Sequence, residues 1–208
     1  MATHNHIKIM KTVTSILTAL FISSNLYAAT VQVNWTIEAT RYLSNISSNR
    51  LFAGSNAVGD GAVLELGYYS SATSINLFSG SWIVLSSGSI GDSGINLNGQ
   101  FNLTSSFSDT NSFLPQVGAP LAIRFYDGIT LSSSSYYNTV SSADPSWAWV
   151  APTNPTPLIK LLIDKGAPIV FERSGFYDFK TGISIPEPSS SLLSLLALSC
   201  VMLRRRKS

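Results

Sequence analysis

The region between residues 29 and 185 contains no histidine, no cysteine and no methionine. Both histidines and all three methionines of the chain fall in its terminal segments, and the single cysteine is Cys200. Without histidine, this region cannot build a Ser-His-Asp or Cys-His arrangement or a histidine metal site. Without cysteine, it forms neither a disulfide nor a thiolate zinc site. These absences exclude the commonest catalytic and metal-binding arrangements.

Charged residues are also scarce, at 12% of the chain against 45% hydrophobic residues. The formal net charge of +2 comes from the two ends of the chain, because region 29–185 holds seven basic and ten acidic residues, a difference of −3. A protein that binds a phosphate backbone needs clustered lysine and arginine. We therefore expect no nucleic-acid partner.

The N-terminus has the pattern of a secretory signal peptide. Two lysines precede an apolar run over residues 13–22, and small residues follow it up to Ala28 and Ala29. A basic start, a short apolar run and a small-residue cleavage site are the three parts of such a signal. We expect signal peptidase to remove residues 1–28 by cutting between Ala28 and Ala29, or one residue later. A buried first helix is the alternative interpretation.

Between the two ends, the sequence predicts one all-β domain over residues 29–185. Residues 30–40 alternate between apolar and polar side chains, which is the pattern of a half-buried strand. Further strand-like segments, separated by turn residues and without any helical period, cover residues 63–69, 81–85, 101–107, 121–126, 136–140, 147–150, 158–163, 169–171 and 175–179. The apolar residues of segment 158–163 are too continuous for an amphipathic helix, so we interpret the segment as a buried strand. The spacing favours a β-sandwich or a jelly-roll-like antiparallel domain.

Two kinds of side chain leave a carbohydrate function open. Glycoside hydrolysis needs only two carboxylates at a set separation, and the glutamates of the region are Glu38, Glu65 and Glu172. Aromatic side chains that face solvent stack on sugar rings instead. The aromatic candidates are Trp35, Tyr68, Tyr69, Trp82, Tyr126, Tyr136, Tyr137, Trp147 and Trp149. For both sets the competing interpretation is ordinary: a solvated carboxylate, or an aromatic packed on a strand.

Residues 92–98 place oxygen-bearing side chains at alternate positions, loosely like a calcium-binding loop. No bidentate glutamate follows at the spacing that such a loop requires, and Asp, Gly and Asn are also the residues of ordinary turns. We therefore interpret the segment as a turn, with calcium binding as the alternative. We expect no resident metal and no other cofactor.

The C-terminal segment 186–208 combines a rigid motif, an apolar stretch and a basic end. Pro186 and Pro188 fix the backbone φ and keep Glu187 on an extended, accessible segment. A helix over residues 189–203 would be about 22 Å long, short of the roughly 30 Å hydrocarbon core of a bilayer. A basic cluster stays on the cytoplasmic side of a membrane, which places the domain outside. The cluster consists of Arg204, Arg205, Arg206 and Lys207.

This order of features over residues 186–206 resembles the PEP-CTERM sorting signal of Gram-negative bacteria. The resemblance implies recognition of Pro186, Glu187 and Pro188 by exosortase, an intramembrane transpeptidase-like enzyme, and a link to extracellular polysaccharide or biofilm. The segments 67–69 (Gly-Tyr-Tyr) and 78–82 (Phe-Ser-Gly-Ser-Trp) also resemble proteins that often carry this tail, which implies no particular activity. A plain membrane anchor over residues 189–203 is the alternative.

The sequence thus predicts a non-enzymatic, exported protein of the cell envelope or extracellular matrix. Its expected partners are signal peptidase, an exosortase-type enzyme, the inner membrane in transit and extracellular polysaccharide. A carbohydrate-binding module is the alternative function, and a two-carboxylate glycosidase is the third.

Overall fold

The computed structural model describes residues 28–54, 59–92, 97–164, 166, 168–175 and 178–185. The signal segment up to residue 27, the Pro-Glu-Pro motif, the apolar segment 189–203 and the basic end at 204–207 lie outside these residues. Among the residues it does describe, no helix is both long enough and apolar enough to cross a membrane.

The described part of the chain is built mainly from β-strands, which confirms the prediction of a mostly β domain. Its strands are β1 (Thr30–Ile37), β2 (Val63–Tyr69), β3 (Trp82–Ser89), β4 (Asn102–Ser108), β5 (Ala122–Tyr126), β6 (Tyr136–Ser142), β7 (Leu158–Ile163), β8 (Ile169–Phe171) and β9 (Ile183–Ser184). Two short 3-10 helices, Leu131–Ser133 and Pro145–Trp147, lie in connections between strands, and the part of the chain that the structure describes contains no α-helix.

The smaller sheet has three strands in the order β4-β1-β7. Strand β1 pairs antiparallel with β4 and parallel with β7, where Trp35 lies opposite Leu161. Parallel neighbours need a crossover connection rather than a hairpin, and here strands β2 to β6 all intervene in the chain. The prediction of a purely antiparallel domain is therefore wrong at this pair. Apolar periodicity shows which face of a strand is buried and says nothing of the direction of its neighbour.

The larger sheet has six strands in the order β3-β2-β5-β6-β8, with β9 also paired to β6. Strands β8 and β9 lie along the same edge of β6. Strand β8 pairs with residues 140–142 of β6, and β9 pairs with Tyr136 and Tyr137. A register shift interrupts the pairing of β2 with β3 between Leu66 and Gly67. All pairings in this sheet are antiparallel.

One hydrophobic core takes side chains from both sheets. Trp35 of β1 is 1% exposed and meets Phe101 edge to face, with ring centroids 5.9 Å apart. Burial of each large apolar side chain contributes about 1.5–3 kcal/mol. The core members carried by strands include Val31, Val33, Trp35, Phe107, Ile159, Leu161 and Ile163 from the smaller sheet and Leu64, Leu66, Ile123, Phe125, Val140 and Phe171 from the larger.

Three of the predicted segments differ from the observed elements. Strand β7 is only half-buried, because Leu158 and Leu162 are exposed on the outer face of a sheet edge. Residues 147–150 form no strand: Asp144 caps a 3-10 turn at Pro145–Trp147, and proline favours that turn over a ladder. The described residues of segment 175–179 also form no strand.

Candidate functional site

A charged and aromatic group covers the outer face of the six-stranded sheet. Glu65 of β2 lies opposite Arg124 of β5, and Arg124 lies opposite Thr139 of β6. These positions alternate with the core residues of the same strands, so the row faces away from the core. We call this group the Arg124 cluster, and its members are Glu65, Tyr69, Trp82, Arg124, Tyr126, Tyr137, Thr139 and Glu172.

Arg124 lies at the centre of the cluster and contacts aromatic faces. The carbon of its guanidinium group is 4.3 Å from the ring centroid of Trp82 and 4.5 Å from that of Tyr137. Its Nη2 donates to the Tyr69 hydroxyl at 2.7 Å, and its Nε donates to Thr139 Oγ1 at 3.1 Å. The planar guanidinium suits both contacts, since its faces stack while its edge donates. The ring faces that Arg124 covers are not available to a sugar.

The two glutamates of the cluster accept hydrogen bonds from aromatic donors. Glu65 is 5% exposed, and its Oε2 accepts from the Tyr126 hydroxyl at 2.7 Å and from Trp82 Nε1 at 2.9 Å. Oε2 of Glu172 accepts from the Tyr69 hydroxyl at 2.7 Å. A buried carboxylate is tolerated only when it is paired in this way. Tyr69 thereby links the guanidinium of Arg124 to the carboxylate of Glu172.

Both tyrosine hydroxyls of these hydrogen bonds hold their protons strongly. Burial, together with the nearby Glu172, raises the pKa of Tyr69 to about 12. Burial and the hydrogen bond to Glu65 raise the pKa of Tyr126 well above its usual range. Burial alone lowers the pKa of Arg124, but the neighbouring tyrosines outweigh it and the net pKa is raised. At neutral pH the tyrosines are therefore hydrogen-bond donors rather than nucleophiles, and the arginine is charged.

The hairpin of β2 and β3 builds one wall of the cluster from the Gly-Tyr-Tyr and Phe-Ser-Gly-Ser-Trp segments. A Cβ on Gly67 would lie 2.3 Å from the Ile83 carbonyl oxygen and 2.7 Å from the Trp82 ring, so only glycine lets that ring cross the strand. The Tyr69 ring lies 5.3 Å from Trp82 and 5.8 Å from Phe78, centroid to centroid. These segments, noted in the sequence for a resemblance alone, therefore form a single packed unit.

The structure brings together two of the three candidate carboxylates and leaves the third elsewhere. Glu65 and Glu172 belong to the Arg124 cluster. Glu38 follows β1 of the smaller sheet, where its Oε2 lies 3.7 Å from Arg41 Nε.

None of the nine candidate sugar-stacking aromatics is exposed. Tyr68, Trp82, Tyr136 and Tyr137 are half-buried. The buried ones are Trp35, Tyr69, Tyr126, Trp147 and Trp149. Most of these side chains therefore pack within the domain, as the ordinary interpretation expects.

In the proposed turn at residues 92–98, side-chain oxygens accept hydrogen bonds from backbone N–H groups. The Asp92 carboxylate accepts from Ser89 N at 2.7 Å and from Gly59 N at 2.9 Å, and Asn98 Oδ1 accepts from Ala53 N at 3.0 Å. Residues 93–96 lie outside the described ranges. Across the residues that are described, no group of three or more His, Cys, Asp or Glu side chains is placed to hold a metal.

Sequence reasoning did not single out Arg124. Its local signal is a cationic residue between Ile123 and Phe125 in a strand, and the residues that surround it come from four other strands or loops. The arrangement places one guanidinium in the same cluster as two carboxylates, both of which accept hydrogen bonds from its aromatic residues. Comparisons of the chain with protein-family models, with curated proteins and with solved structures find no match.

Proposed function

We propose that the chain is an exported, non-enzymatic protein of the cell envelope or extracellular matrix. In this proposal, residues 29–185 form a β-sandwich that is delivered and processed through the C-terminal signal at 186–208. The single core shared by the two sheets supports the sandwich architecture. The absence of cysteine from 29–185 means that the domain folds without disulfides, in whichever compartment it is made.

The use of Glu65 and Glu172 within the Arg124 cluster is the observation that carries the non-enzymatic part of the proposal. A glycosidase needs one carboxylic acid to protonate the leaving group and one carboxylate that acts on the sugar or on water. Here each carboxylate accepts a hydrogen bond from a tyrosine whose pKa is raised, and Glu65 is buried. Such an arrangement favours a packing role over substrate contact.

The ends of the described fold support processing at both predicted sites. Strand β1 begins at Thr30, and the Ala29 carbonyl accepts from Asp109 N at 3.1 Å, so a cut before Ala29 preserves this contact. At the other end, Ile185 N donates to Ser135 O at 3.0 Å, one residue before Pro186. Removal of both addressing segments would thus leave the two sheets with their hydrogen bonds.

The sorting part of the proposal is tested with a Pro186→Ala/Pro188→Ala double variant in the native host. The wild-type protein is expected to leave the inner-membrane fraction, whereas the variant accumulates there because the processing enzyme no longer recognises it. An unchanged distribution of the variant would refute sorting through this motif.

The non-enzymatic part is tested on the purified protein with a panel of glycosides. We expect no turnover by the wild-type protein. Turnover by the wild-type protein that is lost in a folded Glu65→Gln or Glu172→Gln variant would refute the non-enzymatic proposal and indicate a glycosidase.

A further inference from the structure

A concavity of about 300 Å³ lies beside the loop that joins Ser44 to Arg50. This volume is at the lower end of the range for small-molecule sites. Two of the four arginines in region 29–185 line it, although the region as a whole is acidic. The polar residues of its lining are Thr40, Arg41, Tyr42, Ser44, Ser48 and Arg50, and Phe179 completes it.

The walls of this concavity are held by backbone hydrogen bonds. Ser44 and Arg50 form an antiparallel bridge across the loop. Ser44 N donates to the Phe179 carbonyl at 2.9 Å, and Thr181 N donates to the Ser44 carbonyl at 2.9 Å. The lining residues therefore need little rearrangement before a ligand binds, which lowers the entropic cost of binding.

Backbone strain is concentrated in the same place. Ser48 has φ 67° and Phe179 has φ 60°, and they are two of the three non-glycine residues with positive φ in the described ranges. A left-handed conformation at such a residue costs on the order of 1 kcal/mol and persists only where the surroundings impose it. Residues of this kind cluster at binding and catalytic sites, so their position points to a function for the concavity.

The two arginines present their guanidinium groups in different ways. The Arg50 guanidinium carbon lies 3.5 Å from the Tyr42 ring centroid. A guanidinium stacked on a ring keeps its N–H groups at the edge, where they match a carboxylate. Arg41 Nε is buried and makes no hydrogen bond within the described part of the chain. Arg41 forms an ion pair with Glu38, whose Oε2 lies 3.7 Å from Nε, too far for a hydrogen bond.

We propose that this concavity binds a hydroxylated carboxylate of the kind that an acidic sugar unit presents. Arg41 and Arg50 would hold the carboxylate, and the hydroxyl groups of Thr40, Ser44 and Ser48 would exchange hydrogen bonds with the sugar hydroxyls. Glu38 forms an ion pair with Arg41 and offsets part of the positive charge beside the concavity, which favours a singly charged carboxylate over a doubly charged phosphate. The inference goes beyond the proposed function, because it needs only the folded domain.

The experiment is a calorimetric titration of the full-length protein in detergent with three probes: a glucuronate oligosaccharide, a neutral glucose oligosaccharide of the same length, and inorganic phosphate. The glucuronate oligosaccharide is expected to bind. Arg50→Gln and Arg41→Gln are each expected to raise the Kd of this oligosaccharide at least tenfold. Glu38→Gln is expected to strengthen binding, because it removes the competing carboxylate. Lys160→Gln, an exposed change on the smaller sheet, is the control and should leave Kd unchanged.

Each other outcome overturns the proposal. Equal binding of the neutral oligosaccharide would show that charge does not select the ligand. Binding of phosphate in preference to glucuronate would show a plain anion site, and binding of no probe would show no site for these ligands. If Arg50→Gln does not fold, Arg41→Gln and Glu38→Gln still test the proposal, since their expected effects have opposite signs. A change of the same sign in both would contradict it.

Discussion

Replacement of Arg124 by glutamine should destabilise the folded protein substantially, because Arg124 is the only cation within its cluster. The substitution removes the charged donor to the Tyr69 hydroxyl at 2.7 Å and the donor to Thr139 Oγ1 at 3.1 Å. It also removes the guanidinium from the faces of Trp82 and Tyr137. Glu65 and Glu172 would remain without a neighbouring positive charge in the cluster.

The size of the effect follows from these contacts. A hydrogen bond to a charged group contributes about 1.5–3 kcal/mol, and an exposed cation–π contact about 0.5–1 kcal/mol. Arg124 makes two hydrogen bonds and two close ring contacts of these kinds, but it is half-buried and the contributions overlap, so we expect a loss of about 3 kcal/mol. For a chain of this size, that loss lowers Tm by about 6–12 °C.

Urea and thermal unfolding followed by circular dichroism measure this effect. Arg124→Lys keeps the charge but loses the planar stacking and the paired edge donors, so it should fall between Arg124→Gln and the wild type. Lys160→Gln, on an exposed strand position, should change the unfolding free energy by less than about 0.5 kcal/mol. An Arg124→Gln protein within about 1 kcal/mol of the wild type would refute the structural role of the cluster.

Three further predictions concern the same two sheets. The pKa of Tyr69 is raised to about 12, against about 10 in the unfolded chain. The stability that this shift contributes is complete below pH 10 and is lost as the pH rises towards 12, at up to about 1.4 kcal/mol per pH unit. Urea midpoints should therefore fall across this pH range, and they should fall less steeply in Tyr69→Phe. Leu161→Ala should cost about 2–5 kcal/mol in urea unfolding, whereas its exposed neighbour Leu162→Ala should cost much less, and equal losses would contradict the assigned strand faces. Gly67→Ala should lower the free energy of unfolding by about 1–3 kcal/mol or more and change the near-ultraviolet signal of Trp82. The reason is that the new Cβ would overlap the Ile83 carbonyl and the Trp82 ring. Unchanged stability would contradict that packing.

The buried faces of the strands follow from local pattern. In β1, Val31, Val33, Trp35 and Ile37 are all buried while Gln32 is exposed, as period-two alternation predicts. The alternation is set by residues next to one another in the chain, so it is legible without a structure. The parallel pairing of β1 with β7 depends on chain direction over a long crossover, and the two-residue β9 is too short to show a period.

The candidate sites depend on long-range pairing, which the sequence does not show. Glu65, Arg124 and Glu172 are far apart in the chain and meet because β2, β5, β6 and β8 are neighbours in one sheet, with Glu172 directly after β8. The basic concavity likewise combines the loop before Arg50 with Phe179. Composition identified the glutamates as candidates, and it had no means of showing that tyrosine and tryptophan donors bind them.

The central claim, that this is an exported protein processed at both ends, is tested most directly by the intact mass of the mature protein from native cells. The account predicts an N-terminus at Ala29, or one residue later, and a C-terminus near Glu187 and Pro188, with any added mass located there. A C-terminus at Ser208 would contradict processing through the sorting signal.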